Sequence, residues 1–403
     1  MEDRETTPKQ ARIARSGEVL DVVRRASMTT TAEIAASMGL ARSTVAERVD
    51  RLLDAGLLVA DDARVLGRGR PVRPLRFNAT AGVVLVAQLG LSGSRVGVTD
   101  LDGSILTSRT IDLDLADGPG SVLPRIEAEW REALDRTGSD SAAVFGIGLG
   151  VPGLVELARV TGTIDHPWTD RPIADRLGAT WSAPVVVDQD VNFLALAEHR
   201  ANHRDAEVLL ALKVGTALGC GVVVAGRVVR GGAGLAGEIG HTRVAGSDAL
   251  CACGNRGCLA AVASGAALVR SLRDQGVEVT SARDVARLAA AGVVQAAQAV
   301  RAAGREIGEV MAAAINLLNP DAIIVWGYLA DAGDHLLAGM RERIYRSAIP
   351  GASGRVRLER ASLGDDAGIR GAAATVIEQV LDPAEVDRFV AARRNGRRLA
   401  PTG

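Results

Sequence analysis

Gly237-Glu238-Ile239-Gly240-His241, followed after nine residues by Cys251-Ala252-Cys253-Gly254-Asn255-Arg256-Gly257-Cys258-Leu259, is the stretch on which the reading of this chain turns. Three of the four cysteines fall within eight residues. That is no disulfide framework; such clustering belongs to metal binding in a reducing compartment. Three soft thiolates and one imidazole (Cys251, Cys253, Cys258 and His241) form a Cys3His set that suits a structural, tetrahedral Zn2+ closed against solvent. Cys251-x-Cys253 is shorter than the usual Cys-x-x-Cys, but Gly254 and Gly257 let the chain fold back and bring Cys258 to the same ion. The alternative is a free, redox-active thiol cluster. Cys220 lies outside the cluster and reads as an ordinary buried thiol. A clamped loop would point Glu238, three residues before His241, into a neighbouring cleft.

Outward from this loop, apolar runs and glycines recur in a strand–loop–strand pattern. Val208-Leu209-Leu210-Ala211-Leu212 is followed by Gly215-Thr216, Gly219 and Gly221, then Val222-Val223-Val224, a turn at Ala225-Gly226, and Val228-Val229. A similar pattern stands about 125 residues earlier: Val83-Val84-Leu85-Val86-Ala87, Gly90, Val96-Gly97-Val98 and the turn Asp102-Gly103. Short apolar runs bounded by turn signals read as buried strands. Stretches at 121–136, 191–201 and 295–318 read as helices between them. Two glycine-containing hairpins in a repeated α/β pattern predict two lobes around a cleft, as an actin-like (ribonuclease-H-like) fold grips phosphates.

The chain resembles the ROK family, named for repressors, open reading frames and kinases, whose signature is Glu-x-Gly-His followed by Cys-x-Cys-Gly-x-x-Gly-Cys. Further matches are Pro152-Gly153, Asp190-x-Asn192 after Val185-Val186-Val187, Asn319-Pro320 before Ile323-Ile324-Val325-Trp326-Gly327, and Leu363-Gly364-Asp365-Asp366-Ala367-Gly368. The resemblance covers roughly residues 80–380. It implies an effector site at Gln189, Asp190, Asn192, Glu238 and His241, with Asp190 in the place of a catalytic base and a sugar or sugar derivative as ligand.

Departures from the family pattern bear on chemistry. ROK kinases carry Asp-x-Gly-Gly-Thr in the first phosphate loop and Gly-Thr-Gly in the second; here stand Gln88-Leu89-Gly90-Leu91-Ser92 and Gly215-Thr216-Ala217. Gln88 offers no carboxylate, Leu91 sets a bulky side chain where backbone and phosphate must meet, and Ala217 adds a Cβ. On the sugar side Gln189 replaces an Asn, and Ala260 replaces the Glu that follows Cys258-Leu259. His166-Pro167-Trp168 stands loosely where Pro-Asn-Leu is usual. A site that loses a buried acceptor loses affinity and specificity. The expectation is a cleft that binds a ligand without phosphorylating it.

The first 78 residues read as a separate unit. Val19, Leu20, Val22 and Val23 supply a first helix, and Thr30-x-x-Glu33 has capping-box spacing for a short second one closed by Gly39. Val45, Val49, Leu52 and Leu53 stripe a third, closed by Gly56, whose outer face is expected to carry Ser43, Thr44, Glu47, Arg48 and Arg51. Two short strands, around Leu57-Leu58-Val59 and Leu75-Arg76-Phe77, predict a wing tipped by Gly67-Arg68-Gly69-Arg70-Pro71. This is the winged helix-turn-helix pattern, with Arg42, Ser43, Thr44, Arg48, Arg51, Arg68 and Arg70 as DNA contacts. The bland alternative is a three-helix protein-interaction module with a solvated arginine loop.

Length and charge agree with this division. A chain of 403 residues is too long for one ordinary domain, and 47% apolar against 24% charged residues can bury large cores. Lys+Arg 47 against Asp+Glu 48 excludes a globally basic coat for nucleic acid, so DNA binding must be local. Residues 1–78 hold 14 Lys/Arg against 11 Asp/Glu. No run of 18 apolar residues exists and the N-terminus is charged, so the chain reads as cytoplasmic with no membrane partner. The expected fold is α/β: a winged helix-turn-helix (1–78), ROK lobe 1 (79–200), lobe 2 with the zinc loop and helices returning to lobe 1 (201–381), and a basic C-terminal tail (382–403).

The expected function is a sequence-specific transcriptional regulator, a repressor of carbohydrate metabolism. A sugar-derived effector would control it without phosphorylation. The resemblance implies a homodimer or homotetramer on a double-stranded palindromic operator. The alternative is an ATP-dependent sugar kinase with an added DNA-binding head.

Overall fold

A computed structural model describes residues 15–26, 28–62, 73–156, 159–161 and 171–394. Three helices open it: α1 (Ser16–Ala26), α2 (Thr31–Met38) and α3 (Arg42–Asp54). At the start of α2, Thr30 Oγ1 accepts the Glu33 N–H at 3.2 Å and Glu33 Oε2 accepts the Thr30 N–H at 3.0 Å, which is the capping box the sequence predicts. Gly39 ends α2 at φ +63°, a left-handed conformation that a Cβ disfavours. Val19, Leu20, Ile34, Val45, Val49 and Leu52 bury one shared core. Strands β1 (Leu58–Ala60) and β2 (Leu75–Phe77) pair antiparallel as the base of the wing. The expected wing tip, Gly67 to Pro71, lies outside the described residues.

The body is built twice on one plan. β3 (Val83–Gln88), β4 (Ser94–Asp100) and β5 (Ile105–Ile111) form an antiparallel meander. Helix α4 (Gly118–Thr137) leads to β6 (Val144–Val151), parallel to β3. A small sheet of β7 (Leu154–Glu156), β8 (Arg159–Thr161) and β9 (Arg171–Pro172) follows. Helix α5 (Ile173–Trp181), strand β10 (Val185–Gln189) and helix α6 (Asp190–Asn202) complete this part.

The second sheet repeats the order. β11 (Val208–Val214), β12 (Leu218–Val224) and β13 (Arg227–Val228) make the meander. Helices α7 (Leu259–Ala263), α8 (Gly265–Asp274), α9 (Ala282–Ala290) and α10 (Val294–Leu318) lead to β14 (Ala322–Trp326). Then α11 (His335–Ser347) and α12 (Pro350–Ser353) connect to β15 (Arg357–Arg360). The sheet orders are β10-β6-β3-β4-β5 and β15-β14-β11-β12-β13, so the two hairpins occupy equivalent places. Central strands are buried on both faces, hence their continuous apolar runs. Trp130 pins α4 to the first sheet by donating its indole N–H to the Val86 carbonyl at 3.0 Å.

Helix α13 (Ala367–Val380) returns to the first sheet and packs on α6. A Cβ at Gly371 would stand 1.9 Å from the Phe193 carbonyl oxygen. Gly371→Ala is therefore expected to push the two helices apart and cost about 1–3 kcal/mol. Thermal unfolding of the full chain measures this, and an unchanged Tm contradicts it.

Residues from 382 onward, expected as a basic tail, instead form helix α14 (Pro383–Arg394) over most of their described length. Val386 and Val390 are spaced for one apolar face and bury it in the same core as Val19 and Leu20 of α1. The Gly17 N–H donates to Asp387 Oδ1 at 3.0 Å. The head is thus docked on the body by the end of the chain. Among the described residues, no helix is long and apolar enough to cross a membrane.

Candidate functional site

The glycine-rich loop after β13 brings its four metal-type side chains together. The ligand atoms of His241, Cys251, Cys253 and Cys258 all lie within 4.8 Å of one another. Cys253 Sγ and Cys258 Sγ are 3.7 Å apart, and Cys251 Sγ is 3.7 Å from His241 Nδ1. Zn–S bonds of about 2.3 Å at tetrahedral angles put sulfurs about 3.8 Å apart, so the donor set and its spacing fit such an ion. Gly257, at φ +77°, permits the fold-back; a Cβ there would meet the Ser247 carbonyl at 2.4 Å. The Asn255 N–H draws the Cys253 thiol down toward thiolate, the form that binds metal. Cys220 is separate, and burial pushes its thiol up to about 12, where it is inert.

His241 faces two ways. Its Nδ1 lies on the cysteines and its Nε2 is 3.8 Å from Glu238 Oε2. Gln189 donates its side-chain N–H to Glu238 Oε1 at 3.0 Å and to the Gly234 carbonyl at 3.3 Å. Burial pushes the Glu238 carboxyl above its ordinary value. Gln189, Glu238 and His241 therefore form one polar wall, in which Glu238 and His241 belong to the loop and Gln189 to the end of β10.

Asp190 opens α6 and is buried, but it is not free: Lys213 of β11 is its ion-pair partner. Asn192 does not join the site. It is 2% exposed and donates to Asp188 Oδ1 at 2.7 Å, while Arg230 holds the other Asp188 oxygen at 2.6 Å. Two residues further along a helix from Asp190, its side chain points to another side. Lys213, Asp188 and Arg230 were not singled out from the sequence. The rarity of lysine was the available signal for the first; the Asp188–Arg230 pair spans 42 residues and left none.

The two altered loops meet each other. Ser92 Oγ and Thr216 Oγ1 are 2.5 Å apart, and Arg283 of α9 donates to the Ser92 carbonyl at 3.3 Å. Between them remains a cavity of about 90 Å³. Leu91, half-exposed, lines it. Gln88 is buried with its amide against α13, where a Cβ on Gly368 would overlap Oε1.

On α3, Arg42 and Ser43 are exposed and Thr44 half-buried. Arg51 pairs with Glu47 at 2.6 Å. Arg48, expected on the outer face, is 6% exposed and faces Glu18 of α1 at 3.8 Å. It sits three residues after Val45 and four before Leu52, on the stripe that packs inward. Arg68 and Arg70 lie outside the described residues, as do His166, Pro167 and Trp168.

Residues 16–59 match the winged helix-turn-helix DNA-binding family and residues 87–379 match the ROK family. A xylose repressor of Caldicellulosiruptor bescii is 27% identical over 368 residues, covering 87% of this chain and 92% of the relative. A glucokinase of Halalkalibacterium halodurans is 32% identical over 297 residues, covering 69% of this chain and 89% of the relative. Among solved structures, a ROK family transcriptional regulator described as a homologue of the E. coli MLC protein superposes with TM-score 0.78 at 25% identity. It covers 94% of this chain and 99% of its own. A ROK family glucokinase from Streptomyces griseus, in complex with glucose and AMPPNP, gives TM-score 0.64 at 28% identity over 73% of this chain and 99% of its own. The glucokinases match a smaller share of the chain than the repressor and the regulator do. Matched over both lobes and carrying a head as well, the chain belongs to the ROK family, as a winged helix-turn-helix joined to a two-lobed actin-like domain.

Proposed function

We propose that the protein is a cytoplasmic DNA-binding repressor of sugar metabolism whose body senses a sugar-derived effector and does not phosphorylate it. The carrying observation is that one chain joins a helix-turn-helix head to a kinase-like body whose phosphate loops touch each other through Ser92 and Thr216. Gln189, Asp190, Glu238 and His241 are the effector contacts; Asn192 is withdrawn to a supporting role. His241, Cys251, Cys253 and Cys258 hold one structural Zn2+, which keeps Glu238 in place. Effector binding shifts the balance of two lobe arrangements. Helices α13 and α14 supply the connection, one packing on α6 beside the site and the other on α1 of the head. A homodimer or homotetramer would present paired heads to a palindromic operator.

Duplexes selected from a random pool by the full chain test the DNA reading. Arg42→Ala is expected to weaken the selected duplex by about 1–3 kcal/mol in fluorescence anisotropy. Arg48→Ala is expected to lower the Tm instead and leave sequence preference intact. Retained duplex binding after removal of residues 1–78 would overturn the reading.

The second reading, a sugar kinase with an added head, is favoured by the retained Asp190 and by the glucokinase relatives. Its test is an assay for sugar-dependent ADP formation.

A further inference from the structure

Lys213 is one of two lysines in the chain, the other being Lys9. β11 carries it to the cleft, where its ammonium pairs with Asp190 and lies 5.8 Å from the centre of the Trp326 ring. The pair is largely buried, with side-chain exposures of 17% for Lys213 and 5% for Asp190. Burying two charges is costly, and such a pair is weak evidence for a stabilising role. A neutral sugar would use Asp190 as its hydroxyl acceptor, and Lys213 already pairs with one of its two oxygens, Oδ2. An ammonium has three donors, and Lys213 also lines the cavity between the two loops.

Among the described residues, that cavity has one cation without a carboxylate partner. Arg95, Lys213 and Arg283 line it with a single carboxylate, Asp365. Arg95 is matched by Asp366 at 2.7 Å. Arg283 lies over the Tyr328 ring at 4.4 Å, and among the described residues no carboxylate is within ion-pair distance of it. At about 90 Å³ the cavity has room for several waters and so for one oxyanion.

We propose that the effector is an anionic polyol, a sugar bearing a phosphate or a carboxylate, whose oxyanion enters this cavity and binds Lys213. Its hydroxyls meet Gln189 and Glu238, and Arg283 supplies a second cation at the cavity wall. Charge-assisted hydrogen bonds of this kind are short and strong. The proposal rests on the repressor reading and narrows its effector.

Calorimetry on the full chain at fixed ionic strength tests it. The probes are inorganic phosphate, and glucose and xylose each as free sugar, phosphate ester and aldonate. Inorganic phosphate and at least one charged derivative are expected to bind, the derivative more tightly than its neutral sugar. The ester and aldonate arms tell phosphate from carboxylate. Lys213→Met is expected to weaken anion binding by about thirtyfold or more. Asp190→Asn frees Lys213 from a competing carboxylate and is expected to tighten phosphate binding about tenfold, whereas a neutral-sugar site would lose affinity. If Lys213→Met fails to fold around an unpaired Asp190, the double variant with Asp190→Asn removes both charges and is expected to lose the preference for anions. The idea is overturned by wild-type protein that does not bind phosphate, by neutral sugars binding as tightly as their charged forms, or by weaker phosphate binding in Asp190→Asn. Duplex binding on the same samples separates the two readings. DNA binding released by a neutral sugar removes this proposal alone, and phosphate binding without DNA binding removes the repressor reading alone.

Discussion

Removing the Zn2+ proposed at His241, Cys251, Cys253 and Cys258 is expected to unfold the segment from Gly237 to Leu259 and to silence the ligand response, while the three-helix head keeps its fold. None of residues 241–250 is buried, and Ile239, Val244 and Leu259 are the segment's few apolar contacts with the core, so little packing holds it without an ion. Structural zinc contributes about 10–16 kcal/mol of apparent binding energy in small zinc-finger peptides, and in a loop without a core that energy is folding energy. Cys253→Ser keeps the side-chain shape but replaces a soft thiolate, and is expected to lower the zinc content from one ion per chain. Loss of the loop would release Glu238 from Gln189 and dismantle the polar wall. Elemental analysis and effector titration of the same preparation measure both effects. Full zinc content in Cys253→Ser, or a metal-free protein with full ligand response, contradicts the assignment.

ADP formation with common hexoses or amino sugars is expected to stay below detection. Phosphoryl transfer depends on positioning and on neutralising charge at the γ-phosphoryl group, and the loss of one such contact typically reduces turnover about 10²–10³-fold. Three departures bear on that chemistry. Gln88 has no carboxylate and is packed against Gly368; Ser92 and Thr216 hydrogen-bond to each other across the loops; and Lys213 pairs with the carboxylate that would take the sugar proton. Taken as independent, three such losses would lower turnover by about 10⁶–10⁹-fold. Restoring the loops with Gln88→Asp, Leu91→Gly and Ala217→Gly is expected not to restore activity while Lys213 holds Asp190. Sugar-dependent ADP formation by the unmodified chain that vanishes in Asp190→Asn would decide for the kinase.

What the sequence determined by itself was local. The capping box at Thr30 and Glu33, the glycine stop at Gly39 and the stripe of Val45, Val49 and Leu52 each lie within a few residues, so period and turn chemistry name the head's helices. The four metal-type residues span one short loop, and glycine spacing was enough to bring them together. The repeated hairpins were legible because strands buried on both faces leave continuous apolar runs. Tertiary packing decided the rest, because a pattern gives the period of a helix and not the partner of each side chain. Arg48 looked exposed by charge and is buried because α1 and the core cover its side of α3. Asp190 looked like a free base until β11 set Lys213 against it. The end of the chain read as a charged tail, yet Val386 and Val390 bury an apolar face once α1 is there to receive it. Gly17 and Asp387, 370 residues apart, meet only because the fold closes the chain on itself, and no local spacing encodes that contact.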